Sequence, residues 1–135
     1  MTDSERIIID TNVILDVTGE DPSWAEWSKE QAGRLVGRLT INPIIYAELC
    51  YEAGRVEDVE AVLFSLGLAY SEFPREALFL ASQAFKSYRK RGGNMTAPLA
   101  DFFIGAHASA LGTPILTRDA GRYLTYFPDV TLITP

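Results

Sequence analysis

Short apolar runs alternate along this chain with segments of helical periodicity, and this alternation restricts the fold more than any other feature. The runs are Ile7 to Ile9, Leu39 to Ile41, Leu68 to Tyr70, Pro114 to Leu116 and Val130 to Ile133. The stretches between them place apolar residues three and four positions apart, as amphipathic helices do. Regular alternation of strand and helix predicts an α/β fold in which helices cover both faces of a parallel sheet.

Local signals mark where several of the helices begin and end. Asn42 followed by Pro43 predicts a helix start, because asparagine caps well and proline suits the first helical position. Pro98 similarly falls in the first turn of the helix that carries Asp101. The helix before it ends in the basic run Arg89, Lys90 and Arg91. Cations at a helix C-terminus are stabilised by the helix dipole, so a charged cap is one explanation of that run.

Composition describes an ordinary globular chain. With 135 residues, 47% hydrophobic and 22% charged, residues 1–135 are most simply one domain. The longest apolar stretch, Ala61 to Tyr70, is shorter than the roughly 20 residues of a spanning helix. The polar residues Met1 to Arg6 give no sign of a signal peptide. We therefore expect a cytoplasmic protein without membrane association.

The chain has a single cysteine, Cys50, and a single histidine, His107, which excludes several kinds of site. An internal disulfide is impossible, and a zinc site rich in Cys and His is nearly excluded. A Ser-His-Asp triad would need His107, yet no Gly-x-Ser-x-Gly turn precedes it. We expect His107 to be packed or hydrogen-bonded in the core rather than catalytic.

Four carboxylates occupy positions where chemistry is possible. Asp10 ends the first apolar run, Glu48 lies on the flank of the helix that begins at Asn42-Pro43, and Asp101 is in the first turn of a later helix. Asp119 follows the run that ends at Leu116. Each acid has an ordinary explanation, such as a cap, a solvated flank, a dipole contact or a turn. Ligands bind at the carboxyl ends of parallel strands, so their joint placement predicts a divalent-metal site. Oxygen ligands favour Mg²⁺ or Mn²⁺.

Net charge does not decide whether the substrate carries phosphate. The value of -6 argues at first against a nucleic-acid partner. However, if four acids hold metal, the remaining acids nearly balance the 12 basic residues. Basic residues also cluster locally, at Arg89 to Arg91 and at Arg118 and Arg122.

Four segments, in this order, carry a resemblance to a known family. They are Ile8 to Asn12, Ile45 to Leu49, Ala100 to Ala108, and Leu116 to Asp119 with Tyr126-Phe127-Pro128 after it. The ordered set resembles the PIN-domain ribonucleases, and most of all the VapC toxins of bacterial and archaeal type II toxin-antitoxin systems. The similarity extends from Ile7 to Pro135.

The resemblance implies a PIN-like three-layer sandwich with a central five-stranded parallel sheet flanked by helices. It also implies a Mg²⁺ or Mn²⁺ site, endoribonuclease activity on RNA, a homodimer and a cognate antitoxin. Asp10, Glu48 and Asp101 match the family's three acidic ligands, and Asp119 matches a fourth. Thr117 matches its hydroxyl residue near the metal, and Asn12 the polar residue after the first acid. Gly92 and Gly93 beside a strongly basic run depart from most of the family.

Mechanistic expectations follow for these residues. Asp10, Glu48, Asp101 and Asp119 would hold the metal that activates water for attack on an RNA phosphodiester. Thr117 would orient water or a phosphate oxygen. Arg118 is a candidate phosphate contact, and Arg89, Lys90 and Arg91 are candidates for lining an RNA channel. A basic, arginine-bearing antitoxin segment would complement the acidic pocket.

Two other functions remain open at this point. A metal-dependent phosphatase of haloacid-dehalogenase-like type would use Asp10 as a nucleophile, but it wants a second aspartate where Asn12 stands. A catalytically inactive PIN-like binding module would keep the fold and bind only its partner. Assays of nuclease activity with Mg²⁺, Mn²⁺ and EDTA separate these classes.

Overall fold

A computed structural model describes residues 6–93 and 99–135 of the chain. The expected helix start at Pro98 and the polar stretch before Arg6 lie outside the described residues. Within these two ranges the strands are Ile7–Ile9 (β1), Leu39–Ile41 (β2), Ala69–Tyr70 (β3), Ile115–Leu116 (β4) and Leu132–Ile133 (β5). The helices there are Thr11–Gly19 (α1), Ala25–Arg34 (α2), Pro43–Ala53 (α3), Val56–Leu66 (α4), Arg75–Lys90 (α5), Leu99–Leu111 (α6) and Gly121–Tyr126 (α7).

The strands form a parallel sheet in the order β3-β2-β1-β4-β5, which confirms the predicted α/β sandwich. After β1, the chain adds β2 and then β3 on one side of it, and afterwards adds β4 and then β5 on the other side. Ligand sites in open parallel sheets lie where the strand order reverses, and here that point is between β1 and β4. Asp10 follows β1 and Thr117 follows β4, so the topology places both at the reversal point.

The central strand is almost completely buried. Ile7, Ile8 and Ile9 are at most 2% exposed, which explains why this strand is an unbroken apolar run rather than an alternating one. Helices pack in pairs over the sheet, with α1 on α2, α3 on α4 and α5 on α6. Among residues 6–93 and 99–135, no helix is long and apolar enough to cross a membrane.

The helix boundaries match the local signals where those signals were clear. The Asn42 side chain accepts a hydrogen bond from the backbone N–H of Ile45 at 3.0 Å, and Pro43 is the first residue of α3. Gly54, which follows α3, adopts a positive φ of 80° that favours glycine and ends the helix. These local signals fix the start and direction of the helix that carries Glu48.

Gly105 permits a close approach between α6 and the segment after α7. A Cβ atom at this position would lie 2.3 Å from Cδ2 of the Phe127 ring, so only glycine fits. The space beside Gly105 is filled by the Phe127 ring, which is itself 6% exposed. The contact fixes α6, and with it Asp101, against the C-terminal part of the chain.

Candidate metal centre

Asp10 is a buried carboxylate whose two oxygens both accept hydrogen bonds. It is 5% exposed and is the N-cap residue of α1, where its Oδ1 accepts a hydrogen bond from the Thr11 N–H at 2.8 Å. Its Oδ2 accepts from the Thr117 hydroxyl at 2.9 Å and from the Tyr123 hydroxyl at 2.9 Å. The capping explanation is therefore correct, but it accounts for only one of the two oxygens. The other is held by residues from the far end of the chain.

Thr117 is the centre of a polar network that joins the two strand ends. It is fully buried, and its hydroxyl receives a hydrogen bond from the Asn12 side-chain amide at 3.2 Å. The same oxygen accepts from the Asp119 backbone N–H at 3.1 Å. Asn12 also accepts from the Arg118 backbone N–H at 3.3 Å. Thr117 and Asn12 thus hold Asp10 and Asp119 in a fixed relation.

Glu48 and Asp101 reach the same region from two further helices. Glu48, half-buried on α3, accepts a hydrogen bond from the Thr11 hydroxyl. Asp101, in the first turn of α6, pairs with Arg122 of α7 at 3.3 Å, and both side chains are less than one third exposed. Asp119 is exposed and lines, with Asp101 and Arg122, an open cavity of about 390 Å³. All four acids therefore lie near one edge of the sheet.

The electrostatics show that the acids share an environment short of positive charge. Burial raises the pKa of Asp10, and the carboxylate of Asp119 raises it further. Burial likewise raises the pKa of Glu48, with a contribution from Asp10. The pKa of Asp101 rises to about 6 because of burial and repulsion from Asp10 and Glu48, even though Arg122 acts in the opposite direction. One arginine therefore does not neutralise the cluster.

These raised values predict how the stability of the metal-free protein depends on pH. The folded state binds more protons than the unfolded chain between the ordinary aspartate pKa of 3.8 and the folded value of about 6 for Asp101. The free energy of unfolding should therefore fall as pH rises through this window. Urea unfolding in EDTA, measured at about pH 5 and about pH 8, tests the slope. Asp101→Asn should make the free energy of unfolding depend less on pH. An unchanged pH dependence in that variant would contradict the raised pKa assigned to Asp101.

The comparisons with known proteins fit this geometry. The family model of the PIN domain matches residues 7–127, which is most of the chain. This chain belongs to the PIN domain family. No curated relative matches the sequence.

Several solved structures share the fold of this PIN domain over nearly its whole length. FitAB bound to an IR36 DNA fragment is 25% identical, with a TM-score of 0.72 and coverage of 96% of this chain and 94% of that one. VapBC2 from Rickettsia felis, bound to a DNA fragment from its promoter, is 18% identical, with a TM-score of 0.69 and coverage of 95% and 97%. DNA-bound VapBC from Salmonella typhimurium is 19% identical, with a TM-score of 0.68 and coverage of 96% and 97%. The family resemblance seen in the sequence is thus confirmed.

The donor set of the PIN domain fits a hard divalent cation in its chemistry. Carboxylate and hydroxyl oxygens are the ligands that Mg²⁺ and Mn²⁺ prefer, and the raised pKa values mark negative charge that a cation would offset. Across residues 6–93 and 99–135, however, no three potential ligand side chains are grouped closely enough to hold a metal ion as they stand. Three of the acids instead accept hydrogen bonds from protein groups: Asp10 from Thr117 and Tyr123, Glu48 from Thr11, and Asp101 from Arg122.

The basic residues expected to contact phosphate or RNA, Arg118 and Arg89 to Arg91, differ in their surroundings. Arg118 donates to the buried Asp16 through Nε at 2.7 Å and Nη2 at 3.0 Å. Its role as a phosphate contact stays a prediction, and it would require release from Asp16. Arg89 and Lys90 are exposed in the last turn of α5. Arg91 lies 5.4 Å from the ring centre of Tyr126, which lines the acidic cavity.

Sequence reasoning missed two residues that contact the acids directly. Tyr123 is 1% exposed and donates to Asp10, and Arg122 pairs with Asp101. Both lie on α7, the short helix that begins two residues after Asp119, and this nearness to the fourth acid was the available signal in the sequence. His107, by contrast, is buried and hydrogen-bonded to Asn42, as expected.

Proposed function

We propose that this PIN domain is a divalent-metal-dependent endoribonuclease and the toxin of a toxin-antitoxin pair. The observation that supports the proposal is the electrostatic coupling among Asp10, Glu48, Asp101 and Asp119 near the point where the strand order reverses. Burial raises the pKa values of Asp10, Glu48 and Asp101, neighbouring carboxylates raise them further, and a single arginine offsets this rise incompletely. Such an arrangement is costly for the fold alone, since buried like charges repel. A bound divalent ion would offset this repulsion and would give the cluster a catalytic role.

Each residue has a defined part in the proposed reaction. Asp10 and Asp101, with Asp119 and Glu48, would hold the ion. When bound, Mg²⁺ or Mn²⁺ supplies Lewis-acid stabilisation for the phosphodiester and makes water a better nucleophile near neutral pH. The Thr117 and Tyr123 hydroxyls donate to the Asp10 carboxylate, so that this group is already oriented before the reaction begins.

Arg122 acts as a counter-ion for Asp101 when the ion is absent. Its guanidinium also lies over the rings of Tyr88 and Phe102, at 5.5 Å and 5.8 Å from their centres. These contacts keep the arginine beside the acidic cavity after Asp101 turns to the metal. There it would bind an RNA phosphate. Arg89, Lys90 and Arg91 would extend this positive surface along the RNA.

A direct assay tests the activity. Purified protein, incubated with total cellular RNA in Mg²⁺, in Mn²⁺ or in EDTA, should cleave RNA only when a divalent ion is present. Mapping the ends of the products would then define the sequence or structure that is cut. Failure to cleave with either ion would favour the inactive binding module. Release of phosphate from a small phosphomonoester, without RNA cleavage, would favour the phosphatase.

The partner we propose is an antitoxin whose binding segment combines apolar and basic side chains. A solved structure that shares the fold of this chain is a toxin-antitoxin complex from Klebsiella pneumoniae. An apolar cavity of about 400 Å³ lies among α1, α3 and α4, lined by residues such as Ile14, Leu49 and Val62, with Glu52 and Asp58 beside them. Expression from the native operon should therefore co-purify a small basic protein. Light scattering of the free chain tests the expected homodimer.

A further inference from the structure

A second cavity, separate from the acidic edge, lies between the sheet and the C-terminal half of α6. It has a volume of about 310 Å³, and its polar lining is Arg6, Thr40, Ser71, His107 and Thr113. We call it the His107 cavity. None of the four carboxylates lines it. It therefore needs an explanation that the proposed nuclease does not supply.

The sheet provides one wall of the His107 cavity. Ile8 of β1, Thr40 of β2 and Ala69 of β3 are aligned across the parallel ladder, so they face the same side. The Thr40 and Ser71 hydroxyls lie 2.8 Å apart and are hydrogen-bonded to each other. Exposed Tyr70 and Leu111 stand at its rim, and exposed Arg6 lies just before β1. The cavity thus has an apolar wall, several hydroxyls and a cation near its opening.

The tautomer of His107 is determined by a chain of hydrogen bonds. Asn42 Oδ1 accepts from the Ile45 backbone N–H, which turns the side-chain NH₂ of Asn42 toward His107 Nδ1 at 3.1 Å. Nδ1 must then be the acceptor. Burial lowers the pKa of His107, so the ring is neutral at physiological pH and its single proton is on Nε2.

That Nε2–H group has no acceptor among the residues that the structure describes. His107 is fully buried, and Nε2 is a buried polar atom without a hydrogen-bond partner there. Leaving such a donor unpaired costs about 1–3 kcal/mol. Native proteins rarely tolerate this cost, and a donor that lines a cavity is paired when a ligand or water supplies an acceptor.

We propose that the His107 cavity binds a small anion carrying a carboxylate or phosphate group on a compact apolar body. The anionic oxygens accept from His107 Nε2–H, from the nearby hydroxyls and from Arg6. The described residues that line the cavity include no acid that would repel an anion. The volume exceeds that of a bare oxyanion and lies at the lower limit of cavities that bind small organic ligands, about 300 Å³.

The single histidine of the chain makes a specific test possible, because its imidazole nitrogen signals are unambiguous in NMR. Full-length protein is titrated with inorganic phosphate, acetate, benzoate and the uncharged analogue benzyl alcohol. We expect benzoate to shift the His107 Nε2–H resonance saturably and more strongly than acetate, while benzyl alcohol has little effect. Inorganic phosphate shows whether a phosphate group satisfies the same donors.

Two substitutions of exposed arginines complete the design. Arg6→Gln should weaken anion binding about tenfold, as loss of one charged hydrogen-bond donor does. Arg34→Gln, which removes the same charge from the end of α2, should leave binding unchanged. If no anion shifts the His107 signals, water fills the cavity and the proposal is wrong. Equal shifts with benzyl alcohol, or equal weakening by both substitutions, would also overturn the anion assignment.

Discussion

Replacing Asp10 with asparagine is expected to reduce metal-dependent RNA cleavage at least about a hundredfold, the usual effect of removing a central electrostatic group from an active site. The substitution keeps the size of the side chain and removes its charge. The fold should survive, because the Tyr123 hydroxyl can rotate to accept from the new amide and the Thr117 hydroxyl can donate instead to the Asp119 carbonyl, 3.4 Å away. It also removes a buried charge whose desolvation opposes folding. Cleavage rates and urea unfolding, measured on the same preparation, separate the two effects.

A matched control is available at Asp129. This carboxylate is exposed and accepts a hydrogen bond from Ser109 at 2.7 Å, away from the acidic edge. Asp129→Asn removes the same charge and should leave cleavage unchanged. An Asp10→Asn protein that cleaved RNA at the wild-type rate, with the same dependence on Mg²⁺ or Mn²⁺, would refute the assignment of the metal site.

Gly105→Ala is expected to lower the free energy of unfolding by about 1–2 kcal/mol. Alanine favours a helix over glycine by up to about 1 kcal/mol, but forcing an extra methyl group into a packed core costs about 1–3 kcal/mol. The added Cβ would lie 2.3 Å and 2.5 Å from two atoms of the buried Phe127 ring, so the clash should dominate. Urea unfolding with a shared m-value measures the difference.

Gly33 supplies the opposite case for comparison. It lies in α2, and a Cβ atom there would meet nothing within 4 Å. Gly33→Ala should therefore stabilise the protein by up to about 1 kcal/mol, through helix propensity alone. If both alanine variants changed stability in the same direction, the close approach of α6 to Phe127 would not be the reason that residue 105 is glycine.

The parts of the fold that the sequence predicted are those with local causes. The isoleucine run of β1 and the Asn42–Pro43 helix start depend on adjacent residues, and both lie where expected. The expectation that Asp10 and Asp119 lie at the same edge of the sheet followed from strand ends alone, since parallel strands finish at one edge. The predicted topology therefore indicated the region of the candidate site.

The contacts that the sequence did not predict connect distant parts of the chain. Tyr123 and Asp10 are separated by 113 positions, and Arg118 and Asp16 by 102. Asp16 of α1 is 2% exposed and also accepts a hydrogen bond from Ser28. Periodicity shows which face of a helix is apolar, but it does not show which buried acid meets which arginine. That is why Arg118 seemed available for phosphate.

The position of β1 between β2 and β4 has a consequence for synthesis of the protein. β1 is made first, but one of its two neighbours in the sheet is β4, which is made more than a hundred residues later. Until that segment leaves the ribosome, the carboxylate at residue 10 lacks the hydroxyls of Thr117 and Tyr123 that orient it. A nascent or prematurely terminated chain therefore cannot assemble the centre. The proposed activity is therefore expected only after Thr117 and Tyr123 have been synthesised.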